Sequence, residues 1–257
     1  MVEPQVAIVT GASREIGAEM AVALAQTGVT VVVAHHGEPD LADAVAARIR
    51  SQGGVALPFD ADLSSVEANR RLVGFAVEQL GRVDIFVANA GVTRWAPFVE
   101  VDEATWDTVV DLNLKGSYFG AQAAARTMLA QGNGGRIVFS SSVTGLAAVE
   151  NLSAYSVTKA GLAHLARALS VELAPHGITV NALGIGATVN DRNLRDDPDY
   201  AERWGRVIPT GRVVRPADIA SALLYLVSQE AAMVSGHTLT VDGGWASVGD
   251  VPEGYAP

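Results

Sequence analysis

The chain has 257 residues, no Cys, and 18 Lys plus Arg against 28 Asp plus Glu, for a formal net charge of -10. Such an acidic balance disfavours nucleic acid and anionic membrane surfaces as partners, and the lack of Cys removes disulfides, thiolate chemistry and Cys-held metals together. With 49% hydrophobic and 18% charged residues there is ample material for a core, and α/β chains of this length run as one domain. Met1-Val2-Glu3-Pro4 lacks the basic start and apolar stretch of a signal peptide. No apolar run reaches the ~20 residues of a membrane span, so a soluble, cytoplasmic protein is expected.

Apolar β-branched runs alternate with helical patterns along the chain. A strand is predicted at 6–10 and a helix at 16–27, then a strand at 29–34 and a helix at 41–52. Further strands are predicted at 55–59, 85–88, 136–140 and 178–183, with helices at 65–80, 103–130 and 153–175. The strand runs are continuously apolar rather than alternating, which suits a parallel sheet covered by helices on both faces. This βαβ series predicts one α/β domain over 1–257, with a doubly wound parallel sheet. The polar stretch 184–209 is expected to cover the ligand, and 246–257 to form a C-terminal tail.

Between the first strand and the first helix stands Thr10-Gly11-Ala12-Ser13-Arg14-Glu15-Ile16-Gly17. A tight glycine turn that opens a helix exposes backbone N–H groups and a positive dipole end, which suit a pyrophosphate, although two glycines there are often only a turn. The place strengthens the reading, because dinucleotides bind at this crossing of a doubly wound sheet. In the helix at 153–175, Tyr155-Ser156-Val157-Thr158-Lys159 puts a phenol and an ammonium on one face. The cations comprise 16 Arg and only two Lys, Lys115 and Lys159. Codon bias accounts for that scarcity, but it makes a coincidental Tyr-x-x-x-Lys rarer. Ionising a free Tyr at pH 7 costs about 4 kcal/mol, and a fixed cation beside it lowers the cost. The bland alternative is a surface Tyr–Lys contact.

These motifs resemble the short-chain dehydrogenase/reductase family, and the resemblance runs from Val6 to about Trp245. The family loop reads T-G-x-x-x-G-x-G. Thr10, Gly11 and Gly17 match it, and Glu15 replaces the middle glycine. As an acid in the first helical turn, favoured by about 0.3–1 kcal/mol, Glu15 is expected to point to solvent. The resemblance implies a Rossmann fold and an NAD(P)-dependent oxidoreductase that moves hydride between a nicotinamide and a hydroxyl or carbonyl carbon. It implies Tyr155 as acid and base, and Lys159 as the residue that holds the nicotinamide ribose and eases ionisation of Tyr155. Ser142, thirteen residues before Tyr155, is implied to donate to the substrate oxygen, and Asn113 to support a proton path to Lys159. Ser140 and Ser141 read as strand-end serines, and Lys115 as structural at a helix bend.

For the cofactor, the resemblance implicates Gly11, Ser13, Arg14, Ile16 and Gly17 in the loop, His35 after the second strand, and Asp62 and Leu63 at the adenine. Asn89-Ala90-Gly91 follows the fourth strand, with Ala88 where an Asn is usual, and Gly186 and Thr188 join Tyr155 and Lys159 at the nicotinamide. Ile185 stands for a usual Pro and Asn190 for a usual Thr, whose work an amide can do. Arg14, with no acid at position 35, leans the cofactor toward NADP over NAD. His35 and His36 are not read as a metal site, since adjacent side chains at a strand end diverge.

The small-molecule substrate is expected to meet Arg94, Ser142, Thr144, Asn151 and Tyr155, in a pocket built from 92–95, 144, 149–152 and 187–208. The segments around Gly184, Ile208-Pro209 and Asp242-Gly243-Gly244 are similar to the glucose 1-dehydrogenase branch, which implies a sugar or polyol. Reduction of a 3-oxoacyl group or another ketone is the alternative. A catalytically inactive dinucleotide sensor or scaffold is a third, suggested by Glu15, Ala88 and Ile185 and opposed by the joint presence of Asn113, Ser142, Tyr155 and Lys159. The resemblance also implies a homotetramer, formed through the helices at 103–130 and 153–175 and the C-terminal strand.

Overall fold

A computed structural model describes residues 4–248. Residues 1–3 and 249–257, and with them the start of the chain and most of the expected tail, lie outside the described residues. The β-branched runs form strands β1 (Val6–Thr10), β2 (Thr30–His35), β3 (Ala56–Asp60), β4 (Ile85–Ala88), β5 (Gly135–Ser142), β6 (Ile178–Ile185) and β7 (Thr238–Val241). All pair in parallel, in the order β3-β2-β1-β4-β5-β6-β7. The helices in chain order are α1 (Glu15–Gln26), α2 (Pro39–Ser51), α3 (Val66–Leu80), α4 (Glu103–Val110), α5 (Ser117–Gln131) and α6 (Ser153–Leu173), then α7 (Asp191–Asp196), α8 (Tyr200–Gly205) and α9 (Pro216–Val227).

Alternate residues of each strand serve opposite cores. Ala7, Val9, Val31 and Val33 face α1, α2 and α9, whereas Ile8, Val32, Phe86 and Phe139 face α3, α5 and α6. Both faces are covered, which is why the strand runs are apolar throughout. Strand order reverses between β1 and β4, so their carboxyl ends open the crevice where such sheets hold ligands. No helix among the described residues is long and apolar enough to cross a membrane.

Three segments differ from the sequence expectation. The helix predicted over 103–130 is broken by a π-helical turn, Asp111–Gly116, between α4 and α5. Gly116 lies so close to Leu63 that a Cβ there would stand 2.3 Å from the Leu63 carbonyl oxygen, and Lys115 Nζ pairs with Asp111 Oδ1 at 2.8 Å across the turn. The extra residue of a π turn re-aims side chains, and here Asn113 is fully buried. The stretch 184–209 is not one open loop: β6 continues to Ile185, and α7 and α8 follow. Finally, α9 extends the series beyond the predicted elements and precedes the C-terminal strand β7, with Ile219, Leu223 and Leu226 of α9 closing the core over α1.

Glu15 begins α1 with φ of 52°, in the left-handed region. It is half-buried. The left-handed conformation costs a side-chain-bearing residue about 1–2 kcal/mol, which a glycine would avoid. Glu15→Gly is therefore expected to stabilise the protein by about 1 kcal/mol and to raise Tm by about 2–4 °C in a thermal melt; a lowered Tm would contradict this account of the position.

Candidate active site

At the crevice, Thr10 ties the ends of two strands together. Its hydroxyl donates to the Val87 carbonyl at 3.2 Å and accepts from the Asn89 and Ala90 N–H groups at 2.8 and 2.9 Å. Asn89 returns to the loop, its amide donating to the carbonyls of Thr10 at 3.0 Å and Gly11 at 3.2 Å, while Ser140 Oγ donates to Asn89 Oδ1 at 3.0 Å. Gly11, with φ of 61°, packs so tightly that a Cβ would meet the Ala90 Cα at 2.9 Å, and one on Gly17 would meet the Gly11 carbonyl at 2.1 Å. Arg14 at the N-cap of α1 supplies no capping side-chain hydrogen bond. The first-turn N–H groups are thus not taken up by a capping side chain. This glycine cradle at the start of α1 fits the pyrophosphate of a dinucleotide.

At the adenosine end, Arg14 Nη1 pairs with Glu38 Oε1 at 3.0 Å, and Ser13 Oγ donates to Glu38 Oε2 at 2.5 Å. His35 is buried and its Nδ1 accepts from the Glu38 N–H at 3.3 Å, whereas His36 turns toward Asp60 at 3.6 Å. Just past β3, Leu63 is buried and Asp62 is exposed. The hydroxyl and N–H of Ser64 hold the Asp62 carboxyl below the usual carboxylate range.

The second half of the site sits where β5 meets α6. Lys159 is buried, and its Nζ donates to the Ser140 carbonyl at 2.7 Å and lies 5.3 Å from the centroid of the Tyr155 ring. Desolvation pulls its pKa from 10.5 down to about 8. Ser141, read as a strand-end serine, donates to the Lys159 carbonyl at 2.7 Å and so fastens α6 to β5. Ser142 Oγ donates to the Ile185 carbonyl over a long 3.3 Å and accepts from the Thr144 N–H and hydroxyl at 3.2 and 3.0 Å. Asn113 clamps the chain after Gly91, accepting from the Val92 N–H at 2.7 Å and donating to its carbonyl at 2.8 Å. A Cβ on Gly91 would lie 3.0 Å from Asn113 Oδ1 and 3.6 Å from Lys159 Nζ, so glycine is what lets these residues approach.

Ile16, Asn89, Gly91, Ser142, Tyr155, Lys159, Gly186 and Thr188 come together around one cavity of about 440 Å³. Thr188 is held by its hydroxyl donating to the Gly186 carbonyl at 2.9 Å. Asn190 lines the cavity and also caps α7, accepting from the Asn193 N–H at 2.8 Å. The outer wall is aromatic: Trp95, Tyr200, Trp204 and Trp245, with Trp204 edge-on to Trp245 at 5.9 Å. Thr144 lies on the wall shared with a neighbouring groove. Two expected substrate contacts are not on the cavity wall. Arg94 is exposed and turns back to the Thr93 carbonyl at 3.4 Å. Asn151, with φ of 62°, lines the neighbouring groove instead. Trp245 lay outside the segments expected from sequence; its position directly after Asp242-Gly243-Gly244, at the end of the last strand, was the available signal.

Known proteins are similar to this chain over nearly its whole length. The family model described as enoyl-(acyl carrier protein) reductase matches residues 11–246. The L-rhamnose 1-dehydrogenase (NAD(P)(+)) of Azotobacter vinelandii is 38% identical over 242 residues, covering 92% of this chain and 94% of that protein. A 3-oxoacyl-[acyl-carrier-protein] reductase of Synechocystis is 36% identical over 243 residues, covering 93% and 96%. The crystal structure of a short-chain type dehydrogenase/reductase from Mycobacterium marinum superposes with a TM-score of 0.87 at 35% identity, covering 94% of this chain and 95% of that one. The chain belongs to the short-chain dehydrogenase/reductase family. It is an NAD(P)-dependent oxidoreductase acting between a hydroxyl and a carbonyl carbon.

Burial of Lys159 has a measurable pH signature. Below about pH 8 the folded and unfolded chains both carry its proton; between about 8 and 10.5 the unfolded chain keeps the proton that the folded one has lost. Stability therefore rises with pH in that window. Relative to Lys159→Met, the wild type is expected to gain about 2 kcal/mol in urea unfolding between about pH 7.5 and about pH 9.5; a flat difference would contradict the buried ammonium.

Proposed function

We propose that the chain oxidises a neutral sugar or polyol with a nicotinamide dinucleotide, working as one catalytic domain. The observation that carries this reading is the cavity wall. Among the described lining residues the charged side chains are Lys159, beneath Tyr155, and Asp197, which pairs with Arg203 at 3.0 Å. A phosphate-bearing or carboxylate-bearing substrate meets no spare cation there. The C–H faces of a sugar ring instead pack on Trp95, Trp204 and Trp245, while its hydroxyls meet amide and hydroxyl groups such as those of Asn190 and Ser142. The resemblance to an L-rhamnose 1-dehydrogenase supports the same class.

In this reading Lys159, fixed by the Ser140 carbonyl, favours the phenolate form of Tyr155. Tyr155 takes the proton of the substrate hydroxyl as the carbon beneath it loses hydride, and returns it in the reverse direction. Ser142 swings its long hydrogen bond from the Ile185 carbonyl to the substrate oxygen and holds it in place. Asn113 keeps the Gly91-Val92 backbone against Lys159. The α1 cradle, Thr188 and Lys159 would hold a nicotinamide dinucleotide, which would supply the hydride acceptor.

We further propose a cytoplasmic homotetramer. Exposed Trp106, Tyr118, Leu129, Val157 and Val171 along α4, α5 and α6 supply the apolar surface it would bury.

Following the absorbance of the reduced nicotinamide, neutral aldoses are expected to give a kcat/KM at least about tenfold above that for any 3-oxoacyl thioester reduced in the opposite direction. The opposite ranking would favour the ketone-reductase reading. Lys159→Arg is expected to stay folded by circular dichroism yet to lose more than about 100-fold in kcat, because a planar fork cannot replace the compact ammonium at the Ser140 carbonyl. Near-native turnover in that variant would remove Lys159 from the mechanism.

A further inference from the structure

Asp197 lies where the two short helices over the cavity meet. It ends α7, its N–H donating to the Asn193 carbonyl at 2.9 Å, and its own carbonyl accepts from the Tyr200 N–H at 3.0 Å where α8 begins. Two contacts fix the carboxylate: Oδ1 accepts from the Asp199 N–H at 3.1 Å, and Oδ2 from Arg203 Nη1 at 3.0 Å. The Arg203 side chain is 70% exposed and that of Asp197 30%, so the cation of the pair sits in solvent, where water screens it, while the carboxylate is on the cavity wall. A carboxylate has about four lone-pair sites on its two oxygens, so each oxygen of Asp197 keeps a place for one more donor. The same helix, α8, carries Trp204, edge-on to Trp245 at 5.9 Å. An aromatic face and a fixed, half-used carboxylate therefore stand together on one wall.

We propose that Asp197 selects the substrate: its two oxygens take two neighbouring hydroxyls of a neutral sugar, other than the one that Tyr155 deprotonates, and its charge turns away sugars that bear an acid group. The proposal rests on the reading that this cavity oxidises a neutral sugar or polyol, and it names the group that enforces that choice. Hydrogen bonds from hydroxyls to a carboxylate are roughly twice as strong as those between neutral groups. They hold the hydroxyl edge of the ring while Trp204 and Trp245 cover its C–H face. An acyl chain or a simple alcohol brings no donor to this place and would strip the carboxylate of water without replacing it. A uronate brings like charge to the same wall, and the one cation lining the cavity, Lys159, is already held by the Ser140 carbonyl.

The test is steady-state oxidation of D-glucose, D-galactose, D-mannose and L-arabinose, of their monodeoxy analogues, and of D-glucuronate and D-galacturonate. Wild type is expected to favour a neutral aldose over its uronate by about 100-fold or more in kcat/KM, and to lose about tenfold or more when a recognised hydroxyl is removed from the sugar. Asp197→Asn, which keeps the shape and removes the charge, is expected to raise KM for the neutral aldose about tenfold, a larger change than in kcat, and to raise kcat/KM for the uronate about fivefold or more. In Asp197→Ala the deoxy analogue is expected to fall within about threefold of the full sugar, because the partner of the missing hydroxyl is gone. Arg203→Gln removes the same ion pair but keeps the carboxylate, and is expected to retain the preference for neutral aldose over uronate within about threefold of wild type. If Arg203→Gln instead reproduces Asp197→Asn, Asp197 only anchors α8 and the proposal is overturned. A preference unchanged in both Asp197 variants would overturn it equally. If wild type oxidises none of these sugars, the neutral-sugar reading of the cavity falls, and the proposal with it.

Discussion

The ammonium of Lys159 lies inside the protein with a backbone carbonyl, that of Ser140, as its hydrogen-bond acceptor at 2.7 Å. A buried cation held by a neutral dipole is expensive, and its pKa falls to about 8 in consequence. The surroundings are arranged so that the group nonetheless has one place to be. Ser141 fastens the Lys159 carbonyl to β5, and Gly145 leaves room for the helix to dock, since a Cβ there would stand 2.7 Å from the Ala160 nitrogen. Gly91 and Asn113 close the other side. Strand, helix and π turn therefore converge on one side chain, and the proposed roles of Tyr155 and Ser142 depend on that convergence.

Electrostatics narrows what the crevice can accept. The molecule carries a formal charge of -10, so an anionic cofactor approaches against the overall sign. Local features must supply the attraction, and the structure offers two: the uncapped N–H groups at the start of α1 and the cation of Lys159 at the far end. Arg14 is not a third, because Glu38 neutralises it. The substrate end follows the same pattern, with aromatic and amide groups on the wall and Arg94 turned away from it.

Much of this was legible in the residues because it is written locally. Gly17 is required by a backbone contact within its own loop, and Tyr155 and Lys159 share a helix face by spacing alone. The sheet was legible for the same reason, since runs such as Val31–Val33 are apolar on both faces. Less visible were features that depend on distant packing. The π turn exists where Gly116 presses on Leu63, some fifty residues away in sequence. The left-handed φ of Glu15 is a property of the loop's path, which the residue type does not reveal. The reach of the Glu38 side chain to Ser13 depends on how the end of β2 meets the glycine loop, and Trp245 reaches the pocket only because β7 closes the sheet beside β6.

The central claim is that Tyr155 exchanges the substrate proton while the rest of the site binds and orients. Single-turnover hydride transfer, measured together with dinucleotide affinity in Tyr155→Phe, tests it most directly. The account predicts binding within about threefold of wild type and a loss of about a thousandfold or more in the transfer step. Transfer within about tenfold of wild type would contradict it, because the proton would then have another acceptor.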